Sequence, residues 1–265
     1  MFLAITRSVP ASISRCELTH LQREPIDYAR AVAQHARYEA ALSALGCRVE
    51  RLPEAPDLPD SVFVEDAAVV FDELAILMRP GAASRRPEVG AMAAALAPHR
   101  PLAFIEAPGT MDGGDVLVTP GKVFVGISGR TNEEGVGQLR ALIAPHGFDV
   151  IAVPVTGCLH LKSAVTAVFL PPEGGGATLL INPGWIDRAC FGGFELIDVD
   201  PSEPAAANVL RVGDSVICAD EHPGTRERLS VLGFVTQSVP ASELAKAEGG
   251  VTCCSVLVRV AGNSP

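Results

Sequence analysis

The stretch "DGGDVLVTPGKVFVGISG", residues 112–129, has the pattern of a strand, a turn and a second strand, and the fold prediction rests on the recurrence of this pattern. Apolar runs lie on both sides of Pro120 and Gly121, which are typical turn residues. Similar strand-turn-strand stretches occupy residues 62–81, 159–184 and 206–224. Helical patterns separate these stretches, and such alternation of strands with helices predicts an α/β protein.

Four helices are predicted between the strand pairs, at about 25–46, at about 87–97, from 131 or 132 onward, and at about 225–233. The first runs from Pro25 to Gly46, because proline suits the first turn of a helix and glycine its C-terminal end. The third has acidic residues in its first turn, where the helix dipole favours them. It is expected to turn three apolar residues inward: Val136, Leu139 and Ile143.

The strand-turn-strand stretches follow one another at a regular spacing. When their first strands are aligned, one polar or cysteine residue falls at the matching place of each, at intervals of 46, 48, 48 and 45 residues. The aligned residues are Asp66, Asp112, His160, Asn208 and Cys253. A period of this size indicates repeated structural units. The N-terminal strand at 2–6, the first helix, the strand at 48–52 and a strand that begins at Cys253 make a fifth unit, so five units fill one domain over 1–265.

Five units that close in a ring would bring their first strands to a common axis, where the aligned residues converge. A doubly wound sheet with regular strand and helix lengths is the alternative fold. The ring is favoured because polar residues recur at the strand starts, inside otherwise apolar runs, where burial without a role is costly.

The charge balance favours a small cationic ligand. The 31 acidic and 21 basic residues give a net charge of −10, which argues against nucleic acid or an anionic membrane as the main partner. The seven cysteines form no CxxC pair and no zinc-like spacing, which predicts a reduced, cytoplasmic setting. The opening residues "MFLAITRSVP" do not resemble an export signal, and no stretch predicts a membrane span.

A thiol, an imidazole and a carboxylate occupy three of the aligned positions. Cys253, His160 and Asp112 together could form an activated nucleophile, in which the thiolate attacks, the imidazole moves protons and the carboxylate orients the imidazole. Each also has an ordinary explanation: a small core residue, a hydrogen-bonded core histidine and a turn residue. Their occurrence at equivalent places of three repeats favours the catalytic interpretation.

Further charged residues indicate what the nucleophile would attack. Asp60, Glu65 and Asp66 lie within seven residues, and at least one of the adjacent pair is expected to face inward because neighbouring strand residues face opposite sides. Such carboxylates favour a cation, and the forked N–H donors of a guanidinium match carboxylate oxygens well. Arg85 and Arg130 each precede a helix and suit a ligand carboxylate, although surface solvation is the alternative for any such charge. These residues predict arginine or an arginine derivative as the ligand.

The whole chain resembles the dimethylarginine dimethylaminohydrolases, which belong to the guanidino-group-modifying pentein superfamily. The resemblance is carried, in order, by "LPDSVFVEDAAVV", "RPGAASRRPEV", "DGGDV", "GRTNEEG", "LHLKS" and "GGVTCCSVLV". It implies a five-bladed α/β propeller of strand-strand-helix-strand modules around a central active site. It also implies hydrolysis of asymmetric dimethylarginine, and of monomethylarginine, to citrulline with release of dimethylamine or methylamine and without a required cofactor.

The resemblance also assigns residue roles. It makes Cys253 the nucleophile, His160 the acid/base and Asp112 the carboxylate partner of His160, and it leaves Cys254 to packing. The substrate-binding positions it implies are Leu18, Asp60, Glu65, Asp66, Arg85 and Arg130. Among these, Leu18 is the flap residue whose backbone carbonyl meets the α-amino group.

A cationic substrate beside Cys253 would favour the thiolate, so we hypothesise that the thiol deprotonates mainly when substrate binds. Three alternatives stay open: an arginine or agmatine deiminase of the same superfamily, a non-catalytic propeller that acts as a binding module, and a zinc enzyme. Cys253 and His160 are too few ligands for a structural zinc site, but zinc as an inhibitor at these residues is a reasonable hypothesis. A homodimer is considered as the oligomeric state.

Overall fold

The computed structural model describes residues 1–171 and 176–260. Its strands are β1 Phe2–Arg7, β2 Arg48–Leu52, β3 Ala68–Val70, β4 Ala75–Leu77, β5 Leu102–Phe104, β6 Val116–Thr119, β7 Lys122–Ile127, β8 Asp149–Pro154, β9 Val165–Phe169, β10 Thr178–Ile181, β11 Glu195–Asp198, β12 Leu210–Val212, β13 Ser215–Ala219, β14 Val235–Val239 and β15 Val256–Arg259. Its α-helices are α1 Tyr28–Ala44, α2 Val89–Leu96, α3 Glu133–Ile143, α4 Leu161–Ala164, α5 Pro223–Val231 and α6 Ser242–Ala245. Short 3-10 helices are Ile13–Arg15, Val64–Ala67, Ala83–Glu88, Gly113–Asp115, Ala144–His146 and Arg188–Phe191.

The strands form five separate sheets of three strands each. In every sheet the first strand pairs antiparallel with the second, and the second pairs parallel with the third. A parallel pair needs a crossover connection, which the helical segments supply. The fifth sheet joins β15 to β1 and β2, so the two ends of the described chain complete one blade. The predicted five-bladed α/β propeller is confirmed, and the alternative of one doubly wound sheet is wrong.

The predicted helices are present with shifted ends. The first begins at Tyr28 and not at Pro25, because the side chain of Asp27 accepts the backbone N–H of Arg30 and caps the helix there. The third helix, α3, is capped by Asn132. It buries the three residues expected to face inward: Val136, Leu139 and Ile143. A short 3-10 helix, Ala83–Glu88, precedes α2 and displaces its start from residue 87 to Val89.

The first strands of the blades, β3, β6, β9, β12 and β15, surround a central cavity of about 260 Å³. The aligned residues of the repeat lie shortly before these strands: Asp66 is in the 3-10 helix Val64–Ala67, and Asp112 and His160 directly precede Gly113–Asp115 and α4. Asp66, His160 and Cys253 line a second pocket, which shares no lining residue with this cavity. The repeat therefore positions a site apart from the central cavity and not within it.

Two further expectations concern the extent of the chain. In the described part, no helix is both long and apolar enough to cross a membrane. The predicted single domain over 1–265 includes residues 172–175 and 261–265, which lie outside the described residues.

Candidate active site

Four of the five aligned residues lie close together. His160 Nε2 lies 3.0 Å from Asp112 Oδ2, and His160 Nδ1 lies 3.7 Å from Asp66 Oδ1. Cys253 lines the same pocket as His160 and Asp66. The fifth, Asn208, instead forms hydrogen bonds to the backbone. Its side-chain amide donates to the carbonyl of Lys162 at 3.0 Å and accepts the N–H of Thr252 at 3.0 Å.

The imidazole of His160 is buried among carboxylates. Burial alone would lower its pKa, but the charge of Asp66, the hydrogen bond to Asp112 and the charge of Asp115 outweigh burial and raise the pKa to about 9. The imidazole is therefore protonated at neutral pH. A histidine that holds its proton in this way is suited to donate it to a leaving group.

The thiol of Cys253 is uncharged, in contrast to the imidazole of His160. Burial, together with the charges of Glu65 and Asp66, raises its pKa to about 12. The Sγ atom accepts the backbone N–H of Gly250 at 3.3 Å, which favours the thiolate only partly. The free protein thus keeps a neutral thiol beside a protonated imidazole, and a further positive charge would be needed to form the thiolate.

Two glycines allow this close arrangement. A Cβ atom on Gly114 would lie 2.6 Å from His160 Nδ1 and 2.7 Å from Asp66 Oδ1. A Cβ atom on Gly250 would lie 2.3 Å from Asn208 Oδ1. These distances are too short for any side chain, so the "GG" pairs of "DGGDV" and "EGGVTCC" are required by packing. The neighbouring Cys254 is buried in the core, where its thiol donates to the Gly250 carbonyl at 3.6 Å.

The predicted guanidinium-binding carboxylates separate into two groups. Asp60 and Asp66 line the pocket with Cys253. Glu65 lines the central cavity on the other side, where its carboxylate accepts from Lys162 Nζ at 2.5 Å and from Thr252 Oγ1 at 2.7 Å. At least one of the adjacent pair was expected to face inward, and both Glu65 and Asp66 are buried. The reason is not strand alternation, because residues 64–67 form a 3-10 helix.

The two predicted arginines also differ in their surroundings. Arg85 is 4% exposed, and its guanidinium pairs with Asp66 at 2.5 Å and with Glu88 at 2.8 Å. Those charges outweigh burial and hold the pKa of Arg85 well above its ordinary value. Arg130 lies at the pocket rim, where Nη2 donates to Thr19 Oγ1 at 3.1 Å. Arg85 lines the pocket but already serves as an internal counter-ion, whereas Arg130 faces the segment that covers the pocket.

Residues 17–21, here called the flap, cover the pocket. The carboxylate of Glu248 accepts the consecutive backbone N–H groups of Thr19, His20 and Leu21 at 2.5–3.1 Å. The residue that lines the pocket from the flap is Glu17, while the side chain of Leu18 packs against the neighbouring core cluster. With the flap held in this way, the pocket volume is only about 10 Å³. An amino acid does not fit until the flap moves.

Comparison with known proteins identifies the family. No protein-family model matches the chain. A dimethylarginine dimethylaminohydrolase of Streptomyces coelicolor is 41% identical over 260 residues, covering 97% of this chain and 96% of the relative. The enzyme of the same name from Pseudomonas aeruginosa is 34% identical over 258 residues, covering 97% of this chain and 99% of the relative. The chain belongs to the dimethylarginine dimethylaminohydrolase family.

The solved structures agree with this family. The Pseudomonas aeruginosa dimethylarginine dimethylaminohydrolase, as a cysteine-to-serine mutant complexed with citrulline, superimposes with a TM-score of 0.90 over 97% of this chain and 100% of the other. The N-terminal domain of ArgZ, an arginine dihydrolase from cyanobacteria, has a TM-score of 0.82 at 19% identity and shows the shared fold alone. As a member of the dimethylarginine dimethylaminohydrolase family, the protein is a hydrolase that acts on carbon–nitrogen bonds.

The structure adds residues that the sequence did not single out. Asp115, Lys162, Thr252 and Glu248 all contact the aligned residues or the flap. A signal was present for Asp115, which is the second carboxylate of "DGGDV" inside an apolar run. Glu248 gave no such signal, because its contacts are to a segment more than 220 residues away.

A group of atoms suited to a metal ion also lies here. Among the described residues, one carboxylate oxygen each of Asp66 and Asp112 and a ring nitrogen of His160 lie within 4.8 Å of one another. The two ligands predicted for inhibitory zinc are Cys253 and His160, and this group contains only His160. A metal would have to displace the proton that these carboxylates hold on His160.

Proposed function

We propose that this protein hydrolyses asymmetric dimethylarginine, and monomethylarginine, to citrulline and the corresponding amine through a covalent intermediate on Cys253. The observation that carries the proposal is that one pocket contains a thiol, a protonated imidazole bonded to Asp112, and carboxylates for a cation. Relatives named for this reaction match over nearly the whole chain. Related enzymes have been solved with citrulline and with S-methyl-L-thiocitrulline.

Substrate binding would use opposite ends of the pocket. The guanidinium would lie against Asp66 and Asp60, because paired carboxylates suit its forked donors. The pKa of Asp60 is raised by burial, and a bound cation would lower it again. Arg130 would bind the substrate carboxylate, and the backbone around Leu18 would meet the α-amino group. Glu65 and Arg85 would not contact the substrate; they would act by fixing the charge balance around Cys253 and Asp66.

The cationic substrate would supply the charge that the thiol lacks. A guanidinium beside Asp66 offsets the negative charges that raise the Cys253 pKa, so the thiol would release its proton to solvent in the complex. The thiolate would then attack the guanidinium carbon, and the departing amine would take the proton of His160 as its C–N bond breaks. Water would next attack the S-linked intermediate and give a proton to His160. Breaking the C–S bond, with loss of the remaining hydroxyl proton to solvent, would then release citrulline and the thiolate.

A citrulline-formation assay tests the reaction. Asymmetric dimethylarginine, monomethylarginine and arginine are compared side by side, with wild type, Cys253→Ser and Cys254→Ser. We expect turnover of both methylated substrates, little turnover of arginine, none in Cys253→Ser and most of the activity in Cys254→Ser. A preference for arginine would assign the protein to the deiminases. No turnover with any of the three substrates would favour a binding module that has lost catalysis.

Thiolate titration tests the activation step. The ultraviolet absorbance of the Cys253 thiolate is followed against pH in wild type minus Cys253→Ser, with and without a slowly reacting guanidinium ligand. We expect the midpoint near 12 in the free protein to fall by at least about one pKa unit when the ligand binds, since each unit corresponds to ~1.4 kcal/mol of differential charge interaction. An unchanged midpoint with ligand bound would refute substrate-assisted activation.

Three further assignments are part of the proposal. Zinc would inhibit by engaging His160 with Cys253, and chelators should then restore activity to zinc-loaded protein. Seven free cysteines support a reduced cytoplasmic setting. A homodimer would be detected by light scattering of the purified protein.

A further inference from the structure

Asp115 is a buried carboxylate that does not line the substrate pocket. Its side chain is 0% exposed, and it receives three hydrogen bonds. Oδ1 accepts the backbone N–H of Leu161 at 2.9 Å, and Oδ2 accepts the hydroxyls of Ser128 at 2.6 Å and Thr131 at 2.7 Å. Burying a carboxylate is unfavourable unless such donors stabilise it, so the site is built around this charge.

Each of the three donors is connected to a different functional group. Leu161 directly follows His160 in the chain, so its bonded N–H fixes the backbone that carries the imidazole. Thr131 Oγ1 also accepts the backbone N–H of Asp112 at 3.2 Å. Ser128 Oγ accepts the backbone N–H of Arg130 at 3.0 Å. One carboxylate therefore fixes the backbone at the acid/base, its carboxylate partner and the rim arginine.

The direction of these bonds requires two hydrogen-bond acceptors at this place. Ser128 Oγ accepts from both Arg130 N and Thr131 N, so both of its lone pairs are used and its one proton must point to Asp115. An amide nitrogen in place of the Oδ2 oxygen would face a hydroxyl that cannot accept its proton. A Cβ atom on Gly126 would lie 2.5 Å from Asp115 Oδ1, so the neighbouring strand also leaves space for the carboxylate.

We propose that Asp115 is a positioning residue that holds the His160–Asp112 pair and Arg130 in one fixed arrangement. Chemistry on the guanidinium and binding of the substrate carboxylate take place at opposite ends of one small molecule. Both ends must therefore be in place at once. This inference rests on the proposed function for the roles of His160 and Arg130, but the hydrogen-bond arrangement itself does not.

The proposal is tested by separating the arms of the network. Asp115→Asn disturbs all three. Ser128→Ala removes the acceptor of the Arg130 N–H, and with it the longer bond from the Thr131 N–H, but leaves the hydroxyl of Thr131 that binds Asp112. Thr131→Val removes the Asp112 arm at nearly constant volume. We expect Ser128→Ala to raise KM about ten-fold with kcat little changed, and Thr131→Val to lower kcat about ten-fold with KM little changed. Asp115→Asn should do both, because small displacements of catalytic groups cost up to about a hundred-fold in rate.

A matched control comes from the same blade. Thr119→Val also removes a buried hydroxyl, which donates to the carbonyl of Lys122 at 2.8 Å, but it does not touch Asp115. It should leave kcat and KM within two-fold of wild type. If all three network variants instead changed kcat and KM in the same proportion, Asp115 would have only a structural role. If Asp115→Asn does not fold, the opposite KM and kcat effects of Ser128→Ala and Thr131→Val decide the question.

A readout without turnover separates this inference from the proposed function. The titration of His160 is followed by NMR with labelled histidine in wild type, Asp115→Asn, Thr131→Val and Thr119→Val. The charged and titratable groups around the imidazole are Asp66, Asp112, Asp115 and the two nearby thiols of Cys158 and Cys253. We expect the His160 midpoint, about 9 in wild type, to fall in Asp115→Asn through loss of its charge, to fall in the uncharged change Thr131→Val through displacement of Asp112, and to stay in Thr119→Val. An unchanged midpoint in Thr131→Val would overturn the positioning role even in a protein that turns over no methylated arginine.

Discussion

The pocket and the central cavity are both built around the first strands of the blades, yet they differ in kind. Residues shortly before the first strands form the small pocket, which is lined by the Cys253 thiol, the His160 imidazole and carboxylates. Residues within those strands form the larger cavity of about 260 Å³ with mostly aliphatic walls. Glu65, Lys162 and Thr252 separate the two as a polar layer. The residues just before the first strands therefore carry the chemical groups, while the strands themselves set the distances between those groups.

The largest expected effect comes from the pocket side. His160→Ala removes the proton donor for the amine and the base for water, and general acid-base catalysis contributes about 10²- to 10⁴-fold. We therefore expect kcat to fall by at least about 10²-fold, with an S-linked adduct accumulating on Cys253 that mass spectrometry detects. The exposed His146→Ala is the control and should behave as wild type. Normal turnover in His160→Ala would remove the distinction between the pocket and the cavity.

The layer between the pocket and the cavity should be next in magnitude. Lys162→Met leaves the charge of Glu65 unpaired in the interior, and removing one partner of a buried ion pair destabilises a protein by about 3–5 kcal/mol. The matched double variant Lys162→Met with Glu65→Gln removes the unpaired charge and should recover much of this loss. Urea unfolding measures both. Equal stability of the single and double variants would show that the ion pair does not hold the layer.

The pocket should also make stability depend on pH. The folded pKa of His160, about 9, lies above its ordinary value of 6.5, so its contribution is fully present below pH 6.5 and is lost as pH rises through 9. The full shift corresponds to roughly 3 kcal/mol. The difference in unfolding free energy between wild type and His160→Gln should shrink over this window. Thr166→Val, in the cavity wall, should differ from wild type by a constant amount at every pH.

A smaller effect is expected at the flap. Glu248→Gln keeps the size of the side chain but replaces charge-assisted hydrogen bonds to three flap N–H groups by neutral ones, a loss of about 1–2 kcal/mol. We expect iodoacetamide to modify Cys253 about ten-fold faster, because the flap opens more often. The exposed Glu24→Gln serves as control. Equal rates in the two variants would mean that Glu248 does not hold the flap closed.

The smallest effect is expected in the cavity. Arg211 lines the cavity wall, and Arg130 lines the pocket, so Arg211→Met and Arg130→Met form a matched pair. We expect Arg130→Met to raise KM by about ten-fold or more, since hydrogen bonds to charged groups contribute ~1.5–3 kcal/mol. Arg211→Met should leave kcat and KM within two-fold of wild type. A comparable rise in KM for both would show that the cavity takes part in substrate binding.

The fold was accessible from the sequence because its signals are local and repeated. The spacing of Asp66, Asp112, His160, Asn208 and Cys253 predicted five units, and the five sheets confirm it. The ends of the helices were less accessible. Pro25 suited a helix start, but the capping bond from Asp27 to Arg30 moved the start to Tyr28.

The candidate site was accessible only in part. The chain shows which residue types occur at the strand starts, but a 3-10 turn at residues 64–67 sends Asp66 into the pocket and Glu65 towards Lys162. Strand alternation could not predict this division. In the same way, the position of Arg85 before a helix did not reveal that Asp66 and Glu88 already neutralise it.

The repeat, the residue types at each strand start and the family could be read from the amino-acid sequence, because spacing and short motifs are recorded along the chain. How those groups are paired and charged depends on the folded structure. Thr252 meets Glu65 across 187 residues of chain, and Thr19 meets Glu248 across 229. The pKa values of His160 and Cys253 depend on such distant carboxylates and on burial, since charge interactions follow distance in space and not position in the chain.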